Sequence, residues 1–175
     1  MQKLKAKFLL KQAGHENLTV QLVTSDIAGG AIACAQVLSQ QARAAGVTIN
    51  LNQLPSSSFF GKGYLHYTFA QDYWDYNPYL SQVAQATLPD SPFNETHFND
   101  PAYISLYNQA NATLDTAKRT DICHEMQQID FTQGGYIIPA FIDALDAYST
   151  KITGYSAARV GQPLSDFDFE HFSFA

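Results

Sequence analysis

Positive charge is scarce in this sequence of 175 residues. Ten Lys and Arg residues stand against sixteen Asp and Glu, so the formal net charge is −6 and the pI is about 5.1. The densest basic stretch contains Lys3, Lys5, Lys7 and Lys11, which is typical of the solvated side of one helix. Binding to nucleic acid or to an anionic membrane requires a basic surface, so neither function is expected.

Long apolar runs and cysteines are also few. Apolar stretches such as residues 137–142 have the length of a strand, which is too short for a membrane span. The opening sequence MQKLKAKFLLKQAGH lacks a long apolar run and a small-residue cleavage site, so no signal peptide is expected in it. The two cysteines, Cys34 and Cys123, are too few to form a structural zinc site alone. They could form a disulfide or be two buried free thiols, and the sequence does not decide between these alternatives.

Sequence signatures of catalysis are missing as well. The five His residues are scattered, and His124-Glu125 is not followed by the second His of a zinc-binding helix. Gly29-Gly30 opens a predicted helix, but neither a G-x-G-x-x-G motif nor a P-loop lysine is present. A G-x-S-x-G nucleophile elbow is lacking too. We therefore predict no catalytic residue, metal ligand or cofactor, and the chain is not expected to be an enzyme.

Strand-like and helix-like patterns alternate along the chain. Alternation of apolar and polar residues, or a short apolar run, predicts strands at 18–24, 47–54, 64–70 and 136–142. Helices are predicted at 2–13, 28–45, 79–86, from 101 to about 114, and at 118–132. This order is typical of the α/β class, with a mixed or mostly parallel sheet and helices on both faces. The unit spanning 18–54 is expected to be a parallel crossover.

Capping signals predict several helix ends. Gly14 and Gly46 follow helical patterns and are expected to be C-terminal caps. Pro101 is expected at the first position of its helix, after Asp100. The helix at 28–45 is expected to begin at a cap formed by Ser25-Asp26 and to bury one stripe, made of Ile32, Ala35, Leu38 and Ala42.

An acidic, aromatic segment follows the third predicted strand. It reads DYWDYNPYL and covers residues 72–80. Ligands of α/β sheets bind beyond the carboxyl ends of the strands, and carboxylates among aromatic rings suit a cationic amine. The aromatic rings could instead cap the end of the sheet. The candidate ligand-binding residues are Asp72, Tyr73, Trp74, Asp75, Tyr76 and Asn77.

Four stretches together resemble one family. AKFLLKQAGH is similar to a helix of the peptide/nickel solute-binding proteins, the oligopeptide- and dipeptide-binding receptors of ABC importers. AQVLSQQARAAGVTINLN resembles the helix–strand unit of that family, and DYWDYNPYL its aspartate–tyrosine–proline loop. The stretch from Asn99 to Phe141 resembles its paired helices and following strand. The family commonly has a tryptophan three residues before the loop aspartate, where this sequence has Asp72.

The resemblance implies a receptor with two lobes that close on a solute. It implies that residues 1–153 are the C-terminal α/β lobe of a periplasmic-binding-protein-like fold and that residues 154–175 return to an N-terminal lobe missing from this sequence. The implied protein is extracytoplasmic and delivers a peptide or other small solute to a permease. The alternatives are a protein–protein interaction module and a small α/β enzyme that uses loop 72–80. The aromatic tail also suggests a homodimer in which a second copy covers the tail and the exposed lobe face.

Overall fold

The structure is a computed structural model that describes residues 2–143, 145–158 and 163–175. The chain divides into two compact units, Met1–Tyr73 and Trp74–Ala175. The first unit contains helix α1 (Gln2–Gln12), strand β1 (Thr19–Ser25), helix α2 (Ala31–Arg43), strand β2 (Thr48–Leu54) and the short helix α3 (Ser56–Phe59). The second begins with helices α4 (Tyr79–Ala86), α5 (Pro101–Ala112) and α6 (Thr116–Gln133). No helix of the described residues is long and apolar enough to cross a membrane.

A parallel pair of strands forms the sheet of the first unit. β1 and β2 pair in parallel from Thr19 opposite Thr48 to Ser25 opposite Leu54. Helix α2 connects them and packs against both strands, with Leu22, Ala35 and Ile49 at the centre of the buried core. The α/β class and the parallel crossover unit predicted from the sequence are therefore confirmed.

The predicted buried stripe of α2 is rotated in the structure. Ala31, Ala35 and Ser39 are the buried residues, at intervals of four, whereas Leu38 is 38% exposed. The Ser39 hydroxyl donates a hydrogen bond of 2.7 Å to the carbonyl oxygen of Ile49. Small side chains let the helix approach the sheet closely, and the bonded hydroxyl satisfies its polar group inside the core.

The helix ends follow the capping signals with one exception. Gly14 (φ 73°) and Gly46 (φ 92°) both have the left-handed conformation expected of a C-terminal cap. Asp100 caps α5, because its side chain accepts a hydrogen bond from the backbone N–H of Tyr103 and Pro101 follows at the first helical position. The prediction of a Ser25-Asp26 cap for α2 is wrong: α2 begins after Gly30, whose φ is 81° and which offers no side-chain acceptor.

The third and fourth predicted strands are not formed as predicted. Residues 64 and 65 lie in a turn, and Leu65 has φ 66°, which a strand residue does not adopt. Pairing begins only at Ala70, which forms an isolated parallel bridge with Val23. Residues 136–142 have no strand assignment, and Ile137 is 74% exposed. Pattern alone cannot form a strand, because a strand needs a neighbour for its backbone hydrogen bonds.

The helices of the second unit enclose a separate core. Val83, Tyr103 and Met126 are buried at its centre, one from each of α4, α5 and α6. The chain after α6 contributes a short antiparallel pair, β3 (Ile152–Thr153) with β4 (Ser173–Phe174). A turn at Pro163–Asp166 and a 3₁₀ helix at Phe169–His171 lie between these two strands. The boundary predicted at residue 153 stays a prediction.

The aromatic tail packs in part on its own unit. Tyr155 stacks on Tyr148 with ring centroids 4.2 Å apart, and its hydroxyl donates a hydrogen bond of 2.9 Å to Asp146. That bond, followed by burial, raises the pKa of the Tyr155 phenol. Phe169 contacts Phe172 edge-on at 5.5 Å but is 52% exposed, and Phe174 is 89% exposed. The tail therefore leaves apolar rings uncovered in the single chain.

Candidate functional site

The acidic, aromatic segment starts at the carboxyl edge of the first unit's sheet. The backbone N–H of Val23 donates to the carbonyl oxygen of Phe69, and that of Gln71 donates to the carbonyl oxygen of Val23, at 3.0 and 2.9 Å. The Thr24 hydroxyl donates a third hydrogen bond, of 2.8 Å, to the Gln71 side chain. Because Ala70 forms a parallel bridge with Val23, Asp72 lies two residues beyond that bridge, near the carboxyl end of β1.

Two candidate residues belong to the first unit. Asp72 is partly buried and its carboxylate accepts a hydrogen bond of 2.8 Å from the backbone N–H of Tyr73. Tyr73 is 48% exposed. The Asp72 side chain therefore holds the adjacent backbone, while the Tyr73 ring offers an accessible aromatic face.

The four remaining candidates open the second unit and differ in exposure. Asp75 is exposed and Tyr76 is 62% exposed. Asn77 is partly buried, and its amide donates to the backbone oxygen of Asp75 at 3.3 Å and to the side chain of Gln82 at 3.1 Å. Asn77 thus connects the segment to the first turn of α4, and Asp75 and Tyr76 are left accessible to a ligand.

Trp74 is held inside the second unit. Its ring meets Phe93 edge-on, with centroids 5.8 Å apart. Its indole Nε1 is buried and has no hydrogen-bond partner among the described residues. A buried donor without an acceptor costs free energy, about 1–3 kcal/mol for a typical group. Trp74 is therefore an aromatic anchor for the segment and also an unused hydrogen-bond donor.

A cluster of two phenols and a carboxylate includes Tyr79, which lies in the segment directly after the candidate residues 72–77 and Pro78. The Tyr79 hydroxyl donates a hydrogen bond of 2.7 Å to Oδ2 of Asp130, and the Tyr103 hydroxyl donates one of 3.1 Å to the same oxygen. The two hydroxyl oxygens are 3.2 Å apart. This cluster connects the first residue of α4 with the first turn of α5 and the last turn of α6.

Burial dominates the electrostatics of this cluster. It raises the pKa of the Asp130 carboxyl, although the hydrogen bonds from Tyr79 and Tyr103 lower it. Burial is also the main reason why the pKa of each phenol is raised. Both phenols therefore stay protonated and act as donors. Sequence reasoning missed this cluster because its members are 24 and 27 residues apart and follow no local motif.

One group of side chains comes close enough to suggest a metal ion. Asp168, Glu170 and His171 are all exposed, and their ligand atoms lie within 4.8 Å of one another. Exposed acidic groups of this kind are common on protein surfaces without a bound ion. Nothing else in the described residues points to a ligand there, so we assign the group no function.

The comparisons with known proteins find their matches among solved structures. No family model and no curated protein matches the chain. DppA from Helicobacter pylori, a periplasmic binding protein solved with the peptide STSA, matches with a TM-score of 0.71 and 19% identity, over 98% of this chain and 34% of its own. NikA from Staphylococcus aureus, solved with Ni(L-His)₂, matches with a TM-score of 0.67 and 21% identity, over 93% of this chain and 36% of its own.

A third solved structure is similar to the chain over a smaller part of its length. The ABC transporter substrate-binding protein CtaP from Listeria monocytogenes matches with a TM-score of 0.63 and 21% identity, over 73% of this chain and 27% of its own. The chain has the fold of one part of a periplasmic binding protein. It spans about a third or less of the length of the first solved structures that it matches. The fold predicted from the sequence resemblance is thereby confirmed.

The cysteines of this periplasmic-binding-protein fold are both free. Cys34 is exposed on α2, and Cys123 is partly buried on α6. Burial raises the pKa of the Cys123 thiol, while Arg119 lowers it. The sequence left open a disulfide and two buried free thiols. The structure has free thiols, but the Cys34 thiol is exposed and not buried.

Proposed function

We propose that this chain is part of an extracytoplasmic solute receptor of an ABC importer and that its solute is a peptide. The observation that carries the proposal is the fold shared with DppA over 98% of the chain, because DppA was solved with a bound peptide. In this proposal the chain binds a solute without transforming it. In this proposal residues 1–153 form the C-terminal lobe, and residues 154–175 return to the N-terminal lobe of the receptor. The complete receptor delivers the peptide to a membrane permease.

Asp75 is the residue that we assign to the peptide's amino group. Its carboxylate is exposed, and no described side chain forms a hydrogen bond or ion pair with it. The exposed rings of Tyr73 and Tyr76 precede and follow it in the sequence and suit the apolar or cationic parts of a peptide. Trp74 anchors the segment through its edge-on contact with Phe93. Asp72 and Asn77 hold the segment's backbone in place through their hydrogen bonds.

The test compares two substitutions in a receptor that contains this chain. Asp75→Asn removes the charge and keeps the shape, whereas Asp121→Asn makes the same change on the exposed side of α6. A charge-assisted hydrogen bond contributes about 1.5–3 kcal/mol, so Asp75→Asn is expected to weaken peptide binding roughly ten- to hundredfold. Asp121→Asn is expected to leave it unchanged. Isothermal titration with short peptides measures both affinities.

A chemical control identifies the partner of Asp75. N-acetylation removes the positive charge of the peptide, so the acetylated peptide should bind weakly to the native receptor and equally weakly to Asp75→Asn. If Asp75→Asn binds free-amine peptides as tightly as the native receptor does, the assignment of Asp75 is wrong. If no peptide binds to either protein, the peptide-receptor function is wrong.

A second candidate function rests on the exposed aromatic tail. Phe167, Phe169 and Phe174 are at least half exposed in the single chain. Covering a phenylalanine contributes about 1.5–3 kcal/mol, so these rings favour association. We therefore propose, as this second function, that two copies of the chain associate and that each copy covers the tail and the exposed lobe face of the other.

A further inference from the structure

The cluster of Tyr79, Tyr103 and Asp130 lies where it can control the candidate binding segment. Tyr79 is the first residue of α4, and only Pro78 separates it from Asn77. Its hydroxyl lies 2.7 Å from Asp130 Oδ2 on α6. The start of α4 is therefore attached to a helix that is distant in sequence, directly beside the residues proposed to contact a solute.

No side chain caps the start of α4. The cap residue is Pro78, which forms no side-chain hydrogen bond with the helix. In α5 and α6, by contrast, Asp100 and Asp115 accept hydrogen bonds from the backbone of the first turn. Without a side-chain cap, the first turn of a short helix frays readily. The Tyr79–Asp130 hydrogen bond is the interaction that compensates for this at α4.

Two hydrogen bonds of Asn77 connect α4 to the segment, so the position of α4 affects the position of the segment. The Asn77 amide donates to Gln82 Oε1 at 3.1 Å and to the Asp75 backbone oxygen at 3.3 Å. At the other end of the segment, the Trp74 side chain forms no hydrogen bond with the described residues and packs edge-on against Phe93. A shift of the first turn of α4 therefore reaches Asp75 through Asn77, and it reaches Trp74 through the backbone.

We propose that Tyr79, fixed by Asp130 and Tyr103, is a positioning residue that sets the conformation of segment 74–77 and thereby the placement of Asp75. This inference rests on the proposed function for its link to solute binding. The positioning itself concerns the chain without a solute. Tyr103 has a supporting part, because it lies on α5, is 1% exposed and donates a hydrogen bond to the same oxygen of Asp130.

Trp74 makes the proposal measurable, because it is the single tryptophan of the chain and lies within the segment. The experiment removes one hydroxyl with Tyr79→Phe and follows Trp74 emission and its quenching by acrylamide in the folded protein. Tyr107→Phe is the matched control. It removes a phenol from α5 that packs against the same core and has no hydrogen bond to Asp130.

Tyr79→Phe is expected to shift Trp74 emission to longer wavelength and to increase its quenching, since the segment loses its fixed position. Tyr107→Phe is expected to give the native spectrum. A purely structural role would lower the stability of Tyr79→Phe without moving the spectrum of the folded protein. An unchanged spectrum in Tyr79→Phe, or an equal change in both variants, therefore overturns the proposal.

A separate measurement distinguishes this proposal from the proposed function. The spectra require no solute, so they decide the positioning role whatever the chain binds. In a receptor that binds peptides, Tyr79→Phe should weaken binding together with the spectral change, and Tyr107→Phe should not. A spectral change without any effect on peptide affinity would support the positioning of segment 74–77 and overturn its link to solute binding.

Discussion

The packing of the second unit predicts that two apolar residues of one helix contribute very differently to stability. Met126 and Phe131 both lie on α6, but Met126 is 0% exposed and Phe131 is 85% exposed. Met126 is buried with Val83 and Tyr103, and partly buried side chains surround these three residues. Substitution of each by Ala keeps a good helix former in place, so the difference between the two variants measures packing rather than helix propensity.

The magnitudes follow from burial. Met126→Ala removes the side chain from a closed core and leaves a cavity, which costs about 2–5 kcal/mol. That is a large part of the roughly 5–15 kcal/mol by which a typical domain is stable. Phe131→Ala removes a larger side chain that is already in contact with water, so its free energy of unfolding should change by no more than about 0.5 kcal/mol.

Urea denaturation followed by Trp74 emission measures both values, because Trp74 lies in the same unit as α6. Far-UV circular dichroism at the same urea concentrations checks whether helix is lost in the same transition. The slope of the free energy against urea should be similar in both variants, so that the midpoints can be compared. Equal destabilisation by the two substitutions, or a larger effect of Phe131→Ala, would refute the packing described for this unit.

The remaining predictions concern the buried carboxylate and the tail. Burial raises the pKa of the Asp130 carboxyl, so this group binds a proton more tightly in the folded chain than in the unfolded chain. The stability that this contributes is greatest below about pH 3.9, the ordinary pKa of Asp, and is lost as pH rises through the raised pKa. The free energy of unfolding of the native chain, relative to Asp130→Asn, should therefore increase from pH 7 towards pH 4 in urea titrations, and a constant difference would contradict this. For the tail, sedimentation at micromolar concentration should show dimers, which the double change Phe169→Ser and Phe174→Ser should dissociate. A native chain that sediments as a monomer at every concentration would exclude the pairing.

Local sequence signals predicted the helices well. Gly14, Gly46 and Asp100 act within one turn of a helix end, so their effect is visible in a few adjacent residues. Helix α4 was predicted with the bounds that the structure shows. The segment at 72–77 was also found from the sequence, because its composition is unusual and it follows a predicted strand. Whether its residues bind a ligand stays a prediction.

Apart from the parallel β1–β2 pair, features that depend on distant partners were not predicted. The aromatic pattern at 64–70 favours a strand, but Tyr67 instead packs on Phe59 at 5.4 Å and donates a hydrogen bond to its carbonyl oxygen. The pattern of α2 cannot show that Ser39 is inside, because its partner is the backbone oxygen of Ile49 on the following strand. The Tyr79–Asp130 bond joins residues 51 positions apart. Such contacts are set by tertiary packing, which neither periodicity nor capping encodes.

The uncharged stretch from Phe131 to Ile142 has a consequence for the chain in concentrated solution. Ile137, Phe141 and Ile142 are 74%, 92% and 82% exposed, and no acidic or basic residue interrupts the stretch. Exposed segments of this composition pair with copies of themselves and form aggregates. Pro139, in the middle, opposes this because it lacks a backbone N–H for cross-strand pairing. We therefore expect Pro139, and any polypeptide that covers these side chains, to limit aggregation through this stretch at high concentration.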